Sequence, residues 1–334
     1  MKIKIFEFDT YEEDCFRKFV DEKDVECLSE TLSEENAEKH NDAEIISTFI
    51  YSDLSQNVLE KMPRLELIAT RSTGYDHIDL DFCRENNIQV CNIPSYGENT
   101  VAEHVFALLL AISHRVIKAV DRTRKGDFSA RGLQGFDIKQ KTLGVIGTGN
   151  IGAHVIQIAK GFGMEVLAYD VEPRSDLQVK FDFKYTDLEN LLQNSDVITL
   201  HVPANEHTRN MISREQFDQM KKGSVLINTA RGSVVDVEAL LKALSEGRLY
   251  AAGLDVLPEE PTIREEAEVL KSVYEEKHDL TTLLADHVLL RMNNVIITPH
   301  NAFNTREAAS NIADATVANI NGFLEGNPRN IVSE

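Results

Sequence analysis

The chain has 334 residues, 42% of them hydrophobic, which is enough to bury more than one core, so two domains are expected. Proline and glycine stand at ordinary levels and no low-complexity tract appears, which excludes extended disorder. A formal net charge of -20 excludes a nucleic-acid surface or an anionic membrane as partner, because both need clustered Lys and Arg, but leaves room for a small anionic substrate held by one local cation.

The chain starts with MKIKIFEFD, which alternates like a strand and lacks the apolar run of a secretion signal. Candidate strands KIKIFEF, EIISTFI, LELIAT and IQVCNI follow one another, separated by polar helical segments. Cys15, Cys27, Cys83 and Cys91 all lie in this part, with no C-x-x-C pair and no histidine at zinc-ligand spacing, so reduced thiols in a cytoplasmic protein and no metal site are expected. Near residues 97 to 101 YGENT leads into the helix VAEHVFALLLAISHRV, and a hinge is placed there. Glu103, His104, His114 and Arg115 interrupt that helix too much for a bilayer span, and its two histidines are read as structural. From residue 143 the strands are LGVIG, EVLAYD, DVITLHVP, SVLINTA, YAAGLDV and VIITP. A second hinge falls near residue 301, after which REAASNIADATVANINGFLEG reads as a helix returning to the first domain. Residues 1–100 and 302–334 are therefore expected to form one discontinuous domain, with 101–301 inserted as the other. The alternation of short β-branched runs with helices predicts α/β architecture with mostly parallel sheets.

The loops after the strands carry the chemistry. GVIGTGNIG places Gly147, Gly149 and Gly152 as G-x-G-x-x-G between a strand and the helical run IGAHVIQIAKGFG. There Gly147 permits a tight turn, Gly149 lets the backbone approach a pyrophosphate at the helix N-terminus, and Gly152 allows close helix-to-strand packing. The next strand ends in Asp170, eighteen residues after Gly152, where a carboxylate accepts from ribose hydroxyls and repels a 2′-phosphate. NAD is thus expected over NADP, and Arg174 is read as a solvated loop charge. Four further strands end in Pro203, Arg231, Asp255 and His300, and ligands of an open parallel sheet bind outside such carboxyl ends. Any one of them alone would read as a capped turn or a surface charge. Beside a phosphate loop and a ribose acid on one edge, they read as a site.

A nicotinamide moves a hydride, so the protein must move a proton and hold the substrate. His300 is the acid/base suited to neutral pH. A carboxylate beside it would favour its protonated form, and Glu260 and Glu259 of DVLPEEP are the two choices, which spacing does not separate. Arg231 suits a bidentate grip on a carboxylate and so an α-keto or α-hydroxy acid. The acidic run REEAEVLKSVYEEKHD is expected to be a solvated helix.

RSTGYDHID, NIPSYGENTVAEH, LGVIGTGNIG, DVITLHVP, LINTARG, GLDVLPEEP and IITPHNAF together make the chain resemble the NAD-dependent D-2-hydroxyacid dehydrogenases over nearly its full length. The resemblance implies two doubly wound parallel-sheet domains, a Rossmann NAD-binding domain inserted into a flavodoxin-like substrate domain, with a cleft between them. It implies a catalytic trio of Arg231, Glu260 and His300, choosing Glu260 over Glu259 because the family's acid directly precedes the proline. It also implies that Thr73 and Gly74 offer amides to the substrate carboxylate near Tyr96. Cofactor contacts are implied for Asn150, Ile151, Asp170, Pro203, Thr208, Thr229, Ala230 and Asp255 beside the three glycines. A homodimer through the cofactor domain and D-stereochemistry come from the resemblance alone.

Within the family, HNAFNT, Tyr96 in PSYGENT and the long polar segment after Glu260 look like the D-lactate dehydrogenase branch, although Asn304 stands where those enzymes commonly carry a tyrosine. The expected activity is interconversion of a small 2-keto acid, foremost pyruvate, with its D-2-hydroxy acid. A broad-specificity or phosphoglycerate-type dehydrogenase is the alternative within the family, and a dinucleotide-sensing corepressor is the alternative outside enzymes.

Overall fold

The computed structural model describes residues 1–8, 12–258 and 280–332. Glu259, Glu260 and the acidic run expected to be helical, residues 264–279, lie outside the described residues. The chain divides into two compact units, Met1–Gly97 with Asn304–Glu334, and Glu98–Phe303.

The first unit holds β1 (Ile3–Ile5), β2 (Val25–Cys27), β3 (Ile45–Thr48), β4 (Leu67–Thr70) and β5 (Gln89–Cys91), all parallel in the order β2-β1-β3-β4-β5. This is the flavodoxin-like winding. Strand side chains alternate between two cores, as they must when helices cover both faces of a parallel sheet. Ile5, Ile45 and Leu67 face Phe16 and Phe19 of helix Glu13–Glu22 and Ile320 of helix Arg306–Leu324. Ile46, Ile68 and Val90 face Val58, Leu59 and Met62. The Thr305 hydroxyl caps the C-terminal helix by accepting from the Ala308 N–H at 3.2 Å. All four cysteines are free thiols, and burial pushes those of Cys83 and Cys91 up to about 12, so neither is a nucleophile at neutral pH.

The second unit holds β6 (Thr142–Ile146), β7 (Glu165–Tyr169), β8 (Lys184–Tyr185), β9 (Val197–Leu200), β10 (Ser224–Asn228), β11 (Leu249–Leu254) and β12 (Val295–Ile297). They run parallel in the order β12-β11-β10-β9-β6-β7-β8, the doubly wound arrangement whose direction reverses between β6 and β9. Val145, Val197, Val225 and Ile227 pack against Val105, Leu108 and Leu109 of helix Glu98–Ser113 and against helix Asn150–Gly161. Ile146, Ile198, Leu226 and Leu254 point the other way, onto Leu240 and Leu244 of helix Val237–Ser245. Among the described residues no single helix is long and apolar enough to cross a membrane.

Two expectations change. The edge strands β2 and β8 fall in stretches not read as strands, because a short edge strand is covered on fewer sides and carries little apolar signal. The helix expected through VAEHVFALLLAISHRV stops at Ser113, and Arg115 turns left-handed at φ 53°. The chain crosses itself there, because a Cβ on Gly135 would lie 1.9 Å from the Ser113 carbonyl oxygen.

Candidate active site

Tyr169, Ile146, Leu200, Asn228, Leu254 and Ile297, each the last residue of its strand, are paired across β7, β6, β9, β10, β11 and β12 in one register. Whatever follows them emerges on one edge, at strand spacings of about 5 Å. That edge receives the Gly147 loop, Asp170, Pro203, Thr229 to Arg231, Asp255 and His300.

Gly147 turns at φ 92°, and a Cβ there would lie 2.5 Å from the His201 carbonyl oxygen. A Cβ on Gly152 would lie 2.1 Å from the Gly147 carbonyl oxygen. Gly149, by contrast, is the N-cap of helix Asn150–Gly161, with no side-chain cap, and a Cβ on it would meet nothing within 4 Å. Two glycines thus serve the protein's own packing, and the third leaves the helix end open, the kind of place that accepts a pyrophosphate. Ile151 packs against the core of the unit, and the Asn150 amide donates to Glu98 at 3.3 Å.

Asp170 closes the loop from the neighbouring strand. One carboxylate oxygen accepts from the Thr148 N–H at 2.6 Å and hydroxyl at 2.8 Å, and the other accepts from the Glu172 N–H at 3.0 Å. Burial would raise this carboxyl, but the hydrogen bonds from Glu172 and Thr148 outweigh it and hold the group below its ordinary range. With the Thr148 proton on Asp170, the Tyr185 hydroxyl, 2.9 Å away, donates to Thr148 and accepts from the Arg174 N–H at 3.0 Å. The Arg174 guanidinium pairs with Asp176 at 3.2 Å, a surface loop charge. The Thr208 hydroxyl donates to the Pro203 carbonyl at 2.6 Å and accepts from the Asn205 N–H, which ties down the loop after β9.

The Thr229 hydroxyl is buried without a hydrogen-bond partner. A buried orphan hydroxyl, an open helix end and an ionised carboxylate along one sheet edge are the donors and acceptor that a dinucleotide completes, so the residues fit NAD. Next to it, Asn228 braces the turn, accepting from the Ala230 N–H at 3.0 Å and donating to the Arg231 carbonyl at 2.9 Å. A Cβ on Gly232 would lie 2.2 Å from the Leu257 backbone, so a glycine lets the turn of Arg231 press against the loop after β11.

Asp255, read above as a cofactor contact, is 1% exposed and turned into the protein. It accepts from the Thr298 hydroxyl and the N–H groups of Asn301 (3.0 Å) and Ala302 (2.9 Å), and His104 stands 3.5 Å away. Burial would raise this carboxyl, yet the bonds from His104, Thr298 and Ala302 keep it below its ordinary range. The loop they hold carries His300 at φ 50°. His201 also escaped the sequence reading. Its N–H donates to Ile146 at 2.7 Å, its ring meets the Thr199 hydroxyl at 2.9 Å, and burial pushes the imidazole down to about 3, so the ring stays neutral.

The remaining predicted residues belong to the first unit and follow β4 and β5. The Ser72 to Gly74 turn is fixed from several sides. The Thr73 hydroxyl donates to Ile93 at 2.8 Å, the Asn92 amide donates to the Thr73 carbonyl at 2.8 Å, and Asn319 donates to Asn92 at 2.9 Å. Arg71 anchors its start. This side chain is 1% exposed, donates to the Phe6 and Glu7 carbonyls at 2.9 Å and pairs with Glu12 at 3.2 Å. The Tyr96 carbonyl accepts from Asn311 at 2.9 Å. Arg71, Asn92 and Asn319 were not singled out in the sequence, although Arg71 begins the RSTGYDHID segment.

Residues 106–302 match the family model described as "D-isomer specific 2-hydroxyacid dehydrogenase, NAD binding domain". A "2-hydroxyacid dehydrogenase homolog" of Haemophilus influenzae is 35% identical, covering 98% of this chain and 97% of that protein. A glyoxylate reductase of Korarchaeum cryptofilum is 36% identical over 89% of this chain and 85% of its own length. Among solved structures, the D-lactate dehydrogenase of Aquifex aeolicus complexed with NAD and lactic acid superposes with a TM-score of 0.85 at 38% identity, covering 100% of this chain and 99% of that one.

Proposed function

Because this chain belongs to the D-isomer specific 2-hydroxyacid dehydrogenases, and is an NAD-dependent enzyme acting on D-2-hydroxy acids, we propose that its substrate pair is pyruvate and D-lactate. The observation that carries this choice is the end-to-end similarity to a D-lactate dehydrogenase holding lactic acid. Bound NADH supplies the hydride. The protein's residues supply the rest.

In this reading His300 donates the proton to the carbonyl oxygen of the keto acid and takes it back in the oxidation, with Glu260 favouring the charged imidazole. Arg231 holds the carboxylate and polarises the carbonyl. Thr73 and Gly74 offer their N–H groups to the same carboxylate, beside Tyr96. Gly147, Gly149, Asn150, Ile151 and Gly152 receive the pyrophosphate, Asp170 the ribose, and Pro203, Thr208, Thr229 and Ala230 line the cofactor. Asp255 serves the cofactor end of the site by holding the loop of His300. The unit Glu98–Phe303 acts as the cofactor domain and the other as the substrate domain.

We also read the enzyme as a cytoplasmic homodimer joined through the cofactor unit. Helix Val116–Arg124 has no buried residue, and Val116, Ile117 and Phe128 lie exposed around it, an apolar surface that suits a second copy. Its four free thiols suit a reducing compartment.

The test is loss of NADH absorbance with pyruvate, glyoxylate, phenylpyruvate and 2-ketoisocaproate, with the hand of the product checked. The highest kcat/KM on pyruvate, giving D-lactate, is the expected result. Rates rising with side-chain bulk would replace it with a broad 2-keto acid reductase whose pocket is widened where Asn304 stands. His300→Ala should lower kcat by about 100-fold or more with NADH binding intact, and unchanged turnover would remove the acid/base role.

A further inference from the structure

We infer that His104 is a positioning residue for His300, acting through Thr298 and Asp255 to fix the turn on which the catalytic imidazole stands. The two histidines are far apart in the chain and share no direct bond. What joins them is a short relay of half-buried side chains that ends on the buried Asp255. The His104 Nε2 lies 3.0 Å from the Thr298 hydroxyl and 3.5 Å from the Asp255 carboxylate.

The direction of each bond follows from counting protons. A carboxylate only accepts, so the single Thr298 hydroxyl proton goes to Asp255. The Thr298 oxygen then has only lone pairs left to offer, and His104 must present Nε2–H to it. His104 is thus held as a donor, with its proton on the nitrogen facing the relay.

Asp255 in turn gathers the N–H groups of Asn301 and Ala302, the two residues directly after His300. On the other side the Thr298 N–H donates to Leu254 at 2.9 Å and the His300 N–H to Thr298 at 2.9 Å. His300 itself sits at φ 50°, in the left-handed region, which a residue with a Cβ keeps only when its surroundings dictate it. Pinning the residues on both sides of His300 is what dictates it here. His104 comes from the helix that opens the second unit, Glu98–Ser113, and Thr298 to Ala302 is the stretch that precedes its last residue, Phe303. The relay therefore ties the entry of the chain into this unit to its exit, at the residues that set the proton donor.

The catalytic half of this inference rests on the reading of His300 as acid/base; the structural half does not. The experiment separates them. His104→Leu keeps the apolar bulk and removes the donor, His104→Gln keeps a donor nitrogen near the Nε2 position, and Thr298→Val removes the relay without touching the helix. In the cofactor-free chain, hydrogen exchange at the amides of Asn301 and Ala302 should run at least about tenfold faster in His104→Leu and in Thr298→Val than in the wild type. His104→Gln should restore slow exchange, and the double variant His104→Leu with Thr298→Val should exchange no faster than the faster single variant. In the assay, kcat for the keto acid should fall roughly tenfold in His104→Leu, with the Kd for NADH unchanged, and recover in His104→Gln.

Wild-type exchange at these two amides in both His104→Leu and Thr298→Val overturns the inference, as does a His104→Gln enzyme as impaired as His104→Leu. Faster exchange with unchanged kcat overturns the link to turnover. Should His300→Ala keep full activity, the reading of His300 fails and takes the catalytic half with it, a result distinct from the exchange data because these involve neither cofactor nor substrate.

Discussion

Replacing Asp170 with Ser removes the carboxylate at the end of β7, which the proposed function sets against the ribose, and tests the preference for NAD directly. The carboxylate is half-exposed and ionised, held so by Thr148 and Glu172. A 2′-phosphate in place of the ribose hydroxyl would stand about 4 Å from it, where two unit charges repel by about 4 kcal/mol at an effective dielectric near 20. Solvent at this exposed edge halves that, to about 2 kcal/mol, or roughly 30-fold in kcat/KM for NADPH. Losing a charged acceptor for the ribose hydroxyls weakens NADH by a further 1.5 kcal/mol or more, roughly tenfold. The NADH to NADPH ratio of kcat/KM should therefore fall by about 300-fold in Asp170→Ser. Initial rates with both cofactors at a fixed keto acid concentration measure it. A wild type that uses NADPH as well as NADH, or a ratio moving less than about threefold in the variant, would refute the electrostatic reasoning.

Gly152→Ala places a Cβ 2.1 Å from a backbone oxygen that has no room to yield, so overpacking of about 1–3 kcal/mol should lower the unfolding midpoint and loosen NADH; an unchanged NADH titration would contradict it. Arg71→Met strips a guanidinium from Glu12 and from the Phe6 and Glu7 carbonyls, and urea unfolding should report a loss of about 3–5 kcal/mol; a loss below about 1 kcal/mol would mean that the buried pair contributes little. Asp255 titrates below its unfolded value, so its stabilisation is present above the unfolded pKa near 4 and is lost as pH falls through the lower folded pKa. The stability gap between wild type and Asp255→Asn should therefore be wide near pH 7 and narrow once the pH has fallen below the lowered folded pKa, and a gap that stays constant as the pH falls would show that the carboxylate's ionisation is not what stabilises the loop.

What the sequence made legible was what periodicity and strand ends encode. Strands buried on both faces, such as VITL and SVLIN, are nearly continuous apolar runs, and the register that pairs Ile146, Leu200, Asn228, Leu254 and Ile297 then delivers Gly147, Arg231, Asp255 and His300 to one edge without further information. The edge strands β2 and β8 were illegible because their residues are mostly half-exposed and carry no run. The polar relays were illegible for a different reason. His104 lies on a helix whose pattern explains it as one more interior residue, and nothing local marks that Thr298, 194 residues on, waits for its proton. Arg71 hides likewise, since a fully buried arginine looks like any charged residue until the Phe6 and Glu7 carbonyls that it serves are brought beside it. Residues at the edge of the sheet are announced by the strand that ends before them, while those that hold such residues still are specified only by tertiary contact. For this protein that places the glycine loop, Asp170, Arg231 and His300 within reach of sequence reasoning. It leaves to the structure His104 and Thr148, which hold the His300 loop and Asp170, and in the other unit Arg71, which anchors the turn of Thr73 and Gly74.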